Sequence, residues 1–203
     1  MEIKRIDTYD DTRFSKSVLL QHGCFLVDEA PYEVEIISES EAVIRGADPT
    51  LFPMVIDQFR FYTPHIIKFY DNDGNVIKGF PNIKLLKIPL YQIQPSQFYV
   101  DKDKIAAISN YIHAADDIVI QVMPYQNGYI SLDGHTRLHY AVMNGWKYVR
   151  AVEETSADWV YHFVAEAQKR NIHTPKDMML LSHEEYEEKW NRFCDEIFAD
   201  AEE

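Results

Sequence analysis

Hydrophobic and polar positions along the chain change period several times, and each change predicts an element. Residues 12–21, TRFSKSVLLQ, read as a short helix. Cys24 to Val27 and Tyr32 to Ile37 read as strands across a turn-rich spacer, Asp28-Glu29-Ala30-Pro31. Ala42 to Arg45 continues the meander. Asp48-Pro49 pairs a capping acid with a proline at the first helical position and opens a helix to about Tyr62, with Pro53 delaying its start. "HIIKFYDNDGNVIKGF" reads as a hairpin around Asp73-Gly74.

From Lys84 the pattern becomes β-loop-α-β-β-α-β. "KLLKIPLYQI" is expected as a strand, "QPSQFYVD" as a loop and "KDKIAAISNYIHA" as a helix with Ile105, Ile108 and Ile112 on one face. "DDIVIQVMPY" is a strand, Asn127-Gly128 a turn, and "YISLDGHTRLHYAVMNGWKYVRAV" runs strand, helix, stop at Gly145, strand. The remainder is helical. Ser156 can cap a helix to about Arg170, with Trp159, Val160, Phe163 and Ala167 on one face. Thr174-Pro175 opens a short helix. Ser182-His183-Glu184-Glu185 is a capping box for a last helix striped by Tyr186, Trp190, Phe193, Cys194 and Ile197. These aromatics are expected in a core or interface, with the acids around them on a solvated face. The expected class is α+β, in three parts: 1–83, an α+β region; 84–153, a mixed-sheet domain; and 154–203, acidic helices packed on it.

Composition narrows the partners. The chain has 203 residues, a formal charge of −13 and two cysteines, Cys24 and Cys194. There is no apolar run long enough for a membrane span, and the start is too polar for a secretory signal. The cytoplasm is the expected compartment, with both thiols reduced. The charge is uneven. Residues 1–83 carry 8 basic and 14 acidic side chains, 84–153 carry 7 and 6, and 154–203 carry 5 and 13. Such a balance argues against nonspecific nucleic-acid binding, which needs cations to neutralise phosphates. A small anion could still be held in the middle part.

That part contains Asp133-Gly134-His135-Thr136-Arg137, where a strand passes into a helix. A helix N-terminus offers unpaired N–H groups and the positive end of the macrodipole. Gly134 permits close backbone approach, Thr136 adds a hydroxyl, and Arg137 adds a fork suited to phosphate oxygens. Asp133 repels phosphate unless it holds a magnesium ion or acts as a general base. The same residues also read as plain structure: Asp133 as N-cap, Gly134 as turn and Arg137 paired to an acid. Both readings stand on the residues alone. Two metal readings are weaker. His135 and His139 have helical ligand spacing, but the zinc pattern H-E-x-x-H needs Glu where Thr136 stands. Asp71, Asp73 and Asn75 resemble the start of a calcium loop, but Val76 and Asn82 occupy positions that need Gly and Glu.

Residues 84–153 resemble the ParB/sulfiredoxin fold. The resemblance rests on "KIPLYQIQPSQF", a helix, and "DDIVIQVMPYQNGYISLDGHTRLHYAVMNGWKYVRAV". Its signature is Gly-x-x-Arg-x-x-Ala, here Gly134 and Arg137, with Ala141 shifted by one. "AEAQKR" is similar to a downstream ParB helix, with Glu166 and Arg170 at its first and last matching positions and Ala167 where that helix has Asn. Sulfiredoxins carry Cys at the position of His135, so their chemistry is not implied. ParB proteins bind CTP and read DNA through a further domain, whereas here acidic helices follow. Free serine kinases of this fold carry Asp-Gly-His-His-Arg, the version most similar to this one, together with an acid where Gln94-Pro95-Ser96-Gln97 has none. The resemblance implies a nucleotide (ATP, ADP or CTP) with magnesium. Gly134, His135, Thr136, Arg137 and Arg170 would contact it, Asp133 and His135 would be catalytic, and Asp133 and Glu166 would hold the metal. A small hydroxyl-bearing substrate would accept the phosphoryl group. The alternatives it leaves are a noncatalytic nucleotide- or anion-sensing module and, third, a DNA-binding or nuclease-like protein. Residues 1–83 carry no such resemblance.

Overall fold

A computed structural model of the chain describes residues 1–200. It is α+β throughout and divides into two compact units, Met1–Leu85 and the residues from Leu86 on. The helices expected as a third part belong to the second unit. The last three residues of that expected tail lie outside the described residues.

The first unit is a six-stranded sheet in sequence order: β1 (Ile3–Arg5), β2 (Cys24–Val27), β3 (Ala30–Ile36), β4 (Glu41–Gly46), β5 (Lys68–Tyr70) and β6 (Val76–Gly79). Neighbours are antiparallel except β4 and β5, which are parallel. A parallel pair needs a crossover, and α2 (Phe52–Tyr62) supplies it. Phe52, Val55, Ile56 and Phe59 of α2 pack on Phe25, Tyr32, Ile44 and Phe69 of the sheet. On the other face Cys24 and Leu26 pack with Val18 and Leu19 of α1 (Lys16–Leu20). β2 is therefore buried along its whole length, which explains its unbroken apolar sequence.

Three expectations shift here. The helix over 12–21 shrinks to the five residues of α1. The spacer is a two-residue turn, because Asp28 and Glu29 both take positive φ while Ala30 and Pro31 already pair with β2. Asp48 caps a 3₁₀ turn, Pro49–Leu51, that leads into α2, and Pro53 sits in the first turn of α2, where no N–H is needed. The Asp71 carboxylate accepts the N–H groups of Asp73 and Asn75, which closes the β5–β6 hairpin.

The second unit is built on a mixed sheet ordered β7-β12-β10-β11-β8. The strands are β7 (Leu86–Pro89), β8 (Ile93–Pro95), β10 (Val119–Tyr125), β11 (Gly128–Ser131) and β12 (Tyr148–Glu153). β12–β10 and β11–β8 are parallel, the other two pairs antiparallel. The single strand expected over 84–93 is thus two strands at opposite edges of the sheet. Pro89 has no N–H to extend the ladder, and a 3₁₀ turn over Leu90–Gln92 carries the chain across. The expected loop 94–101 contains the end of β8 and a short strand β9 (Tyr99–Asp101), which pairs in parallel with β13 (Met179–Leu181). The helix expected over 102–114 ends early, as α3 (Lys102–Ile108). The β10–β11 turn is Gln126-Asn127, one residue before the expected position, because Tyr125 pairs with Gly128.

α4 (His135–Met143) buries His135, Leu138 and Ala141 and is stopped by Gly145 at φ 69°. α5 (Trp159–Lys169) starts after Asp158, not at Ser156, and buries Val160, Phe163, Val164 and Ala167, leaving Trp159 46% exposed. A single 3₁₀ turn, Pro175–Asp177, stands where Thr174-Pro175 was expected to open a helix. The capping box forms: Glu185 N–H donates to Ser182 Oγ at 3.3 Å, and Ser182 N–H to Glu185 Oε2 at 3.2 Å. α6 (His183–Tyr186) passes through a π-helical turn, Glu187–Asn191, into α7 (Arg192–Asp200). Trp190 and Phe193 pack edge-on against Phe98 with ring centroids 4.9 and 5.1 Å away. Glu184, Glu185, Glu187 and Glu188 face solvent. Among the described residues no helix is long and apolar enough to cross a membrane.

Candidate functional site

The C-terminal end of β11 and the first turn of α4 bring Asp133 to Arg137 together. Gly134, not Asp133, is the N-cap residue, and its backbone is left-handed at φ 82°, ψ 23°. A Cβ at this position would stand 2.5 Å from Cγ2 of Ile120 on β10. The chain is therefore pressed onto the sheet as it turns, and only glycine satisfies both demands. Thr136 is partly exposed beside it.

Arg137 is 22% exposed and already partnered. Nη2 donates to Asp133 Oδ2 at 2.7 Å and Nη1 to the Val119 carbonyl at 2.6 Å. These bonds use two of the five N–H groups of a guanidinium. The Asp133 side chain is 46% exposed. The pairing of Arg137 to an acid that the plain reading anticipated is present, and the acid is the motif's own.

His135 points inward. Ser96 donates its hydroxyl proton to the Ser131 carbonyl at 2.7 Å, so its oxygen is left to accept from His135 Nε2 at 3.1 Å. All three residues are buried. Burial drives the His135 imidazole down to about 4, with Arg137 pushing the same way and Asp133 and the Ser131 carbonyl opposing, so the ring is neutral near pH 7. Ser131 Oγ, fully buried, has no hydrogen-bond partner among the described residues. His139 turns elsewhere, toward the Pro175 carbonyl, so the two imidazoles of the zinc-like spacing do not share a partner. Burial raises the Tyr111 phenol, which feels both Arg137 and Asp133.

Glu166 and Arg170 lie at the end of α5 as a pair of their own. Glu166 Oε2 accepts from Arg170 Nη1 at 2.6 Å and Oε1 from Lys169 Nζ at 2.6 Å. Lys169 and then Arg170 hold the Glu166 carboxyl at about 2. The Arg170 guanidinium also lies over the Phe98 ring, 4.4 Å from its centroid. A magnesium ion at Glu166 would have to displace two cations, so the Asp133–Glu166 pair does not fit a shared metal. Asp133 is half exposed and paired with Arg137 Nη2.

β8 stands between the two groups. Ser96 reaches His135, while Gln94 donates to the Ile172 carbonyl at 2.9 Å and accepts from Gln168 of α5 at 3.1 Å. Sequence reading missed Ser96 and Ser131, since partners 39 residues apart leave no spacing signal.

No known protein family and no curated protein matches the sequence. Among solved structures the chain is similar to protein Atu1540 from Agrobacterium tumefaciens. The two are 13% identical with a TM-score of 0.35, over 47% of this chain and 61% of that one. The chain thus spans about three-fifths of the length of that protein.

A second polar group lies away from the motif. Asp101, 1% exposed, accepts from Asp103 N–H at 2.8 Å and pairs with His183 Nδ1 at 2.8 Å. The Asp101 carboxylate raises the His183 pKa. The donor atoms of Asp101, Asp103 and His183 lie within 4.8 Å of one another. This pair ties α6 to the end of β9.

Proposed function

We propose that the β11–α4 junction binds the phosphate end of a nucleotide together with magnesium, and that Asp133 serves phosphoryl transfer to a hydroxyl-bearing acceptor or hydrolysis. The observation that carries this reading is the left-handed Gly134 at the N-cap of α4. It leaves the helix N-terminus with no side-chain cap, next to the partly exposed Thr136 and Arg137 and the half-exposed Asp133. The spare donors of Arg137 suit phosphate oxygens, and a hydrated magnesium ion at Asp133 would offset that carboxylate's repulsion. The resemblance of 84–153 to the ParB/sulfiredoxin fold points the same way.

One observation favours a second reading, a noncatalytic nucleotide or anion sensor. Arg137 and Asp133 hold each other, Glu166 is held by Lys169 and Arg170, and His135 is buried and neutral, so each of these charged groups already has a partner within the fold.

Thermal melts with magnesium and ATP, ADP or CTP test the shared core of both readings. A ligand at 100 times its Kd adds about 2.7 kcal/mol, which raises Tm by roughly 5–10 °C in a chain of this size. Arg137→Ala is expected to remove that shift. No shift with any of the three nucleotides removes both readings. Turnover in the presence of serine and other hydroxyl acceptors separates enzyme from sensor.

A further inference from the structure

At the other end of β11 the second unit opens into a groove of about 500 Å³, within the size range of small-molecule sites. It is bounded by the 3₁₀ turn after β7, the β10–β11 turn and the end of α5. Its lining is unusual for a chain with 26% charged residues. Among the described residues that line it there is no Asp, Glu, Lys or Arg. Instead there are three tyrosines, Tyr91, Tyr125 and Tyr129, and five side-chain amides, among them Gln126, Asn127 and Gln168.

The pattern selects a class of ligand. Among the described lining residues a phosphate or carboxylate finds no lysine or arginine, only the imidazole of His173, and an amine finds no carboxylate. Tyrosine rings offer flat apolar faces with a polar edge, and each amide both donates and accepts hydrogen bonds. Tyr91 is 74% exposed, which gives an open ring as a platform rather than a closed slot. Tyr125 has the Tyr161 ring 6.2 Å away, which extends the aromatic surface onto α5. Gln126 takes φ 51°, an uncommon conformation for a non-glycine residue, at the turn that carries Gln126 and Asn127 into the lining. A ligand that matches is uncharged, has an apolar ring face, and carries hydroxyls that act as donor and acceptor at once.

We propose that this groove binds a neutral saccharide, with a pyranose face on Tyr91 and its hydroxyls on the exposed amides of Gln126 and Asn127. The groove is separate from the phosphate site. Gly128 and Tyr129 line it, and the motif begins beyond Ser131, about 10 Å along the strand.

The test uses the full chain with maltose, cellobiose and lactose at millimolar concentration, read by saturation-transfer NMR, alongside an array of neutral glycans. Uncharged nucleosides form a comparison arm. At least one saccharide is expected to bind, with ring protons receiving most saturation. Tyr91→Ala is expected to weaken it about tenfold, the scale of one lost aromatic contact, without changing the melting temperature, since Tyr91 is a surface residue. Arg137→Ala is expected to leave it unchanged. Three outcomes overturn the proposal: no transfer to any disaccharide and an empty array, binding that survives Tyr91→Ala, or binding of nucleosides in preference to saccharides. Loss on Arg137→Ala would overturn the separation of the two sites.

Discussion

At φ 82° Gly134 occupies backbone space that costs an L residue on the order of 1 kcal/mol, and Ile120 blocks a Cβ there as well. Gly134→Ala is therefore expected to destabilise the chain by about 2 kcal/mol or more, measured as a shift in urea midpoint at constant slope. His135 gives a second prediction, in pH. Its folded pKa, about 4, lies below the ordinary imidazole value of 6.5. The unfolded chain therefore binds more protons in between, and stability that is complete above pH 6.5 is lost as pH falls toward 4. The loss from this group is of order 3 kcal/mol. His135→Gln is expected to flatten urea-derived stability across that window, and an unchanged slope would show that the ring is not buried neutral. At this scale the glycine was legible, because few residues tolerate a strand-to-helix turn. The partner of Arg137 was not. Asp133 was read as a helix cap or as a metal or base, and whether a side chain faces its own helix or a ligand depends on what the sheet places beneath it.

Helices with an apolar period and a cap were read close to their true places. The capping box at Ser182 is the clearest, since local sequence contains both of its partners. Ser182→Ala is expected to cost about 1 kcal/mol, and faster amide exchange confined to α6 would locate the loss there. The strands of the second unit were harder. "KLLKIPLYQI" is uniformly strand-like, yet it serves two edges of one sheet, and Pro89 is the sole local mark of the break. Local pattern predicts that a segment is extended, not which neighbour it pairs with. The buried Ser96–His135 contact has the same origin: it exists because β8 pairs in parallel with β11, and that pairing leaves no trace in either segment. Ser96→Ala removes the acceptor of a buried imidazole N–H. A loss of about 1–3 kcal/mol is expected in urea unfolding.

For the whole molecule the deciding quantity is charge. The chain carries a net charge of −13, and the motif's cation, Arg137, is already paired with Asp133. On the proposed reading, a nucleotide at the junction would meet long-range repulsion and short-range attraction, and these respond differently to salt. Screening over about 10 Å at 0.1 M removes the distant repulsion first, while contacts at hydrogen-bond distance in a half-buried site are screened far less. A nucleic-acid reader shows the reverse, since its affinity comes from cations spread along the phosphates and collapses as salt rises. Nucleotide affinity, measured by calorimetry with magnesium held in excess, is therefore expected to hold steady or tighten as salt is raised from low to physiological strength. No duplex DNA is expected to be retained at either salt. A steep fall in nucleotide affinity with salt would place the binding on exposed lysines elsewhere on the surface, and the β11–α4 junction would lose its claim to it.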